Sequence, residues 1–199
     1  MQNNLENLVY LFFIILVGFA AYYYYEKTGY QLKCIVSDVD GNKYCVRERN
    51  QVKQATDLLA KTTEKCKKLI DYLKEKYPDD ERVQRLVSKF NPDKINETLP
   101  TSQYTAYSQN KGEKMSFCLN KDKENNENLI DEHTLMFVSL HELSHIMTVS
   151  IGHQEVFWAN FKFLLEEAKN SGIHDPTDYK KSPQKYCGMT IHDSPFYDT

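Results

Sequence analysis

Apolar positions along this chain follow three different spacings. From Leu8 to Tyr25 (LVYLFFIILVGFAAYYYY) they are nearly continuous and no residue is charged. As a helix the run is about 27 Å long, close to the hydrocarbon thickness of a bilayer. Tyr22 to Tyr25 close it with phenol rings, which favour the headgroup interface. A cleaved signal peptide would want a basic start, whereas MQNNLEN carries only Glu6. A core helix rarely runs so far without a polar face. The pattern therefore predicts one transmembrane helix over residues 8–25. Lys27 and Lys33 follow the run and no cation precedes it. The positive-inside rule then puts the rest of the chain in the cytoplasm, as a single-pass membrane protein.

Beyond it the spacing becomes two, then three to four. Cys34-Ile35-Val36 and Tyr44-Cys45-Val46 flank Asp40-Gly41, a hairpin turn signal. Val52, Ala55, Leu59, Cys66, Leu69 and Leu73 mark an amphipathic helix ending near Pro78. Asp79-Asp80-Glu81 caps another, with Val83, Leu86, Val87 and Phe90 on one stripe, stopped by Asn91-Pro92. A polar linker leads to a second hairpin, Tyr104–Tyr107 against Met115–Leu119, turned at Asn110-Lys111-Gly112. Asp131 caps a helix running to about Met147. After a break at Gly152 a last helix carries Phe157, Trp158, Phe161, Leu164, Leu165 and Ala168 to a C-cap at Gly172. The tail from Tyr179 shows no regular spacing.

Composition narrows the partners. A net charge of −3 over 199 residues speaks against binding nucleic acid by bulk electrostatics, so nucleic acid is not expected as a partner. Cys34, Cys45, Cys66, Cys118 and Cys187 are odd in number and form no CxxC pair. They read as reduced thiols in a cytosolic domain, with Cys34–Cys45 the one conceivable pair. Asn96-Glu97-Thr98 is a glycosylation sequon that would report topology.

The chemistry lies in His141-Glu142-Leu143-Ser144-His145, an HExxH motif. Residues four apart share a helical face, so the two imidazoles converge on one cation, and zinc is the cofactor expected. Glu142 sits about 100° round, placed to act on a metal-bound water without ligating the metal. A catalytic zinc site needs a third protein ligand and an open position. His153, just after Gly152, is preferred; Glu166 on the last helix is the competitor. His133, His174 and His192 read as surface or local structural residues. Tyr186 or His192, near Cys187-Gly188-Met189, is a candidate for oxyanion stabilisation.

The stretch LMFVSLHELSHIMTVSIGHQEVFWANFKFLLEEA resembles the WLM and SprT-like zinc peptidases. The shared features are an HExxH helix, a Gly-His step and an aromatic pair opening the next helix: His141, Glu142, His145, Gly152, His153, Phe157 and Trp158. The wider layout of anchor, DG hairpin and YCGM tail looks like WLM-type peptidases of large DNA viruses. The resemblance implies an α+β, zincin-like domain over 31–199, with a small antiparallel sheet and the HExxH helix, preceded by the anchor in 1–30. It implies metal ligands His141, His145 and His153, catalytic Glu142, and a protein or peptide substrate. Met115–Leu119, read as a strand, is the candidate edge along which an extended peptide adds by main-chain hydrogen bonds. Relatives often digest proteins crosslinked to DNA. The expected function is a membrane-tethered zinc peptidase; the alternatives are a DNA-associated protease acting on such crosslinks and a non-catalytic, zinc-stabilised membrane protein.

Overall fold

The structure, a computed structural model, describes residues 2–28, 32–125 and 127–198. The chain separates into two compact units, residues 1–31 and 32–199.

The first unit is one helix, α1 (Gln2–Thr28), whose apolar side chains from Leu8 to Tyr23 are exposed. Among the described residues no helix is long and apolar enough to cross a membrane. This overturns the transmembrane helix expected over 8–25 and, with it, the single-pass topology and cytoplasmic placement. The expectation had counted four closing tyrosines as span. Without them Leu8–Ala21 is 14 residues, and such a helix is only about 21 Å long against about 30 Å of hydrocarbon. The side chains of Tyr24, Tyr25 and Lys27, on which the interface and orientation arguments leaned, lie outside the described residues.

The second unit is α+β. It opens with the expected hairpin, β1 (Leu32–Val36) against β2 (Lys43–Arg47). Asp40 shapes its turn by accepting from the Asn42 amide and the Tyr44 hydroxyl. Cys34 and Cys45 face each other in register and are disulfide-bonded. A second disulfide joins Cys118 to Cys187, and Cys66 is free and buried. The reading of reduced thiols is thus corrected for four cysteines. Cys118 and Cys187 lie 69 residues apart, a pairing that no local spacing discloses, and it removes the thiol argument for a reducing compartment.

Helix α2 (Val52–Lys76) buries Leu59, Cys66, Leu69 and Leu73, the predicted stripe, and stops before Pro78. Helix α3 (Glu81–Lys89) starts at Asp80, whose carboxylate accepts from the Arg82 and Val83 amides. The expected polar linker contains a strand, β3 (Ile95–Glu97), too short to show alternation. With β4 (Ala106–Gln109) and β5 (Lys114–Phe117) it forms a sheet ordered β3-β5-β4. β5 runs parallel to β3 and antiparallel to β4, so this sheet is mixed where an antiparallel one was expected. β5 is also the central strand, so Met115–Leu119 cannot be the free edge; that edge belongs to β4. Met115, Phe117 and Leu119 instead point into the core.

Beside the sheet, Glu97 is buried and accepts from the Arg47 amide while pairing with Arg49. Arg47 reaches the carbonyls of Thr98 and Lys123, both at 2.6 Å. Burial pushes the Glu97 carboxyl up and the two guanidinium groups hold it back. Removing one partner of such a buried group typically costs about 3–5 kcal/mol. The sequon residue Asn96 accepts from the Cys45 amide, tying the sheet to the hairpin.

Helix α4 (Glu132–Met147) begins at Asp131, as read, and is the central helix, with 12 of its 16 residues buried. Helix α5 (Glu155–Asn170) packs on it, and the tail forms a hairpin, β6 (Gln184–Tyr186) and β7 (Met189–Ile191). Its two-residue turn, Cys187-Gly188, has positive φ at both positions (50° and 80°), the geometry that suits the twist of paired strands.

Candidate metal centre

Glu142 is 5% exposed on a helix with little solvent around it. Polar groups in such a place need partners. Ser139 and Ser144 satisfy theirs by donating to the carbonyls of Leu135 and Leu140. His141, Glu142 and His145 turn instead toward a cleft of about 810 Å³.

The helix ends at Thr148. Gly152, at φ 85°, takes a backbone conformation that a Cβ would strain, and this sends the chain back so that His153 faces the helix it has just left. One ligand atom each from His141, His145 and His153 lies within 4.8 Å of the others. The Nε2 atoms of His141 and His153 are 3.0 Å apart. Phe157, fully buried, is the floor: its ring centroid lies 4.8, 4.3 and 4.6 Å from those of His141, His145 and His153. Trp158, expected on the buried stripe, is 44% exposed and packs against His153.

Burial, with the neighbouring His145 and His153, lowers the His141 imidazole to about 3. Burial, then His153 and Lys111, lowers His145 to about 4. Both rings are therefore neutral near pH 7 and offer lone pairs to a metal. Burial pushes the Glu142 carboxyl up to about 8, and the Ser108 amide draws it partly back. The donor set suits zinc. Two nitrogens on a tetrahedral zinc stand about 3.3 Å apart for bonds of about 2.0–2.1 Å, near the spacing seen here.

Lys111 holds the loop that carries His153. Its ammonium donates to the carbonyls of His145 (3.2 Å), Thr148 (2.7 Å) and Ser150 (2.9 Å), closing the end of α4. Arg85 adds a bond to the Met147 carbonyl. Cations at a helix C-terminus oppose its dipole. In the sequence Lys111 was visible only as a turn residue.

The other candidates fall elsewhere. Glu166 is exposed on α5 and outside the histidine group. Its neighbour Glu167 is buried and bonded to Lys76, Tyr77 and Asn170. His133 and His174 pack against each other, with His133 on the Thr177 hydroxyl. Tyr186 lines the cleft, but its hydroxyl donates to the Thr105 carbonyl, and His192 sits at the Thr190 carbonyl outside the cleft lining. Sequence reasoning missed the free edge of β4 and the cleft residues Ser108, Met189 and Ile191.

No known family model matches the chain. An uncharacterized protein of Acanthamoeba polyphaga mimivirus is 27% identical over 170 residues, covering 83% of this chain and 85% of that protein. An uncharacterized protein of Invertebrate iridescent virus 6 is 36% identical over 70 residues, 35% of this chain and 38% of that protein. Another, of Invertebrate iridescent virus 3, is 41% identical over 59 residues, 30% of this chain and 36% of that protein. The match thus spans well under half of either iridescent virus protein. Among solved structures, Wss1 from Saccharomyces cerevisiae aligns with a TM-score of 0.46 at 16% identity, covering 64% of this chain and 89% of that one.

Proposed function

We propose that the chain is a zinc-dependent peptidase. The carrying observation is that three imidazoles with mutually close ligand atoms and a buried carboxyl line one cleft. His141, His145 and His153 hold the metal. Bound zinc would supply Lewis acidity, polarising a peptide carbonyl and making water acidic near neutral pH.

The rest is done by the chain's own groups. Glu142 takes the proton of the attacking water and passes it to the leaving amine, a transfer suited by a carboxyl whose proton affinity burial has raised toward neutrality. The Ser108 amide orients that carboxylate. Phe157 fixes the three rings from below, and Lys111 fixes the loop of His153. β4 is bonded to β5 on one side and lines the cleft, so an extended peptide can add along its other side by main-chain hydrogen bonds.

Glu142→Gln tests this directly. Zinc content should stay at one per chain while turnover of a peptide library falls by about 10²-fold or more. Equal turnover in the variant would end the proposed role of Glu142, and an absence of bound zinc would end the metal assignment.

A further inference from the structure

The cleft has two unlike ends. At one, Lys111 and the loop of His153 close on the last turn of α4. At the other stands the tail hairpin. Tyr186 bonds the Thr105 carbonyl just before β4, and the Thr105 hydroxyl approaches the Met189 sulfur at 3.9 Å. The hairpin cannot drift from this place. Cys187 is disulfide-bonded to Cys118 at the end of β5, and the Cys187 and Gly188 amides donate to the Asn120 and Lys121 carbonyls, both at 2.8 Å. Opposite it, Phe137 and Val138 occupy the turn of α4 before His141. Val138 is four residues ahead of Glu142 and on its face.

Phe137, Val138, Tyr186, Met189 and Ile191 thus make an apolar pocket beyond Glu142, and Met189 is 51% exposed into it. The direction of a bound peptide follows from two facts. β4 begins at the hairpin and ends at Lys111, so a peptide added antiparallel, the more stable pairing, runs toward the hairpin. Glu142, which delivers the proton to the leaving amine, sits one helical turn from Val138 in the cleft that Tyr186 also lines. That amine belongs to the residue following the cut bond.

We propose that the tail hairpin is the specificity wall of the cleft, and that the chain cuts peptides immediately before a bulky apolar residue, whose side chain fills this pocket. The inference rests on the peptidase reading and adds the substrate class to it. One extra methylene in an apolar pocket is typically worth about 10-fold or more in specificity.

The experiment uses the full-length, zinc-loaded chain and a peptide series that varies only the positions on either side of the cut among Ala, Leu, Phe, Lys and Glu. Leu and Phe after the cut should exceed Ala by about tenfold or more in kcat/KM, with Glu poorest. Met189→Lys, at an exposed position, should keep the melting temperature, reduce that ratio and improve Glu. A flat profile, a preference confined to the residue before the cut, or a Met189→Lys profile identical to wild type would overturn the hairpin assignment while leaving a peptidase. No cutting of any peptide, with wild type and Glu142→Gln alike, would fell the peptidase reading and this inference with it.

Discussion

Glu142 and the two helical histidines carry opposite electrostatic debts at the same site. Burial raises the Glu142 carboxyl from 4.5 to about 8, so the folded, metal-free protein holds this proton more tightly than the unfolded chain does. Its contribution to stability is complete below about pH 4.5 and is lost as pH rises toward 8. His141 and His145 are depressed from 6.5 to about 3 and about 4. Their contribution is present above pH 6.5 and is lost as pH falls through about 4 for His145 and about 3 for His141. Metal-free Glu142→Gln cannot ionise, so it should match wild type near pH 4 and exceed it by about 2–4 kcal/mol at pH 8.5. Denaturant titrations at the two pH values check this, and a constant difference would mean that Glu142 is not desolvated as described. HExxH was legible because one turn of helix relates its members. The depth of Glu142 was not, because burial is set by what packs on α4.

At the scale of elements, the tail hairpin depends on a bond between distant parts of the chain. Cys118–Cys187 closes 69 residues, and the loop-entropy account gives such a link about 4 kcal/mol. Replacing both cysteines by serine should lower unfolding free energy by about 2–4 kcal/mol. A thiol reductant, which opens Cys34–Cys45 as well, should lower the wild-type denaturant midpoint at least as far, whereas unchanged midpoints would show that the pair is dispensable. The helices were readable from spacing and caps: Asp80 and Asp131 start α3 and α4 as their side chains require. β3 and the tail strands were not, since three residues carry no period.

For the whole molecule, the fold's partition matters most. The HExxH site, both disulfides and the buried core all belong to residues 32–199. A chain beginning at Leu32 should therefore fold and bind zinc with the affinity of the full chain, and zinc should raise its melting temperature, because a ligand that binds only the native state stabilises it. Calorimetry with and without zinc tests this. A truncated chain that fails to melt cooperatively would show that α1 contributes to the fold.

Some properties of this protein were fixed by sequence alone because short-range geometry governs them. These are the convergence of His141 and His145, the hairpin at Asp40-Gly41, the stripe of α2 and the turn at Gly152. Tertiary structure decided the rest. It placed Lys111 across the end of α4, made β4 rather than β5 the edge, paired Cys118 with Cys187, and set the tail hairpin along the cleft that Glu142 lines. Each depends on contacts between segments far apart in the chain. Which strand lies outermost and which cation meets which carbonyl is settled only when the core closes, and no local spacing carries that information.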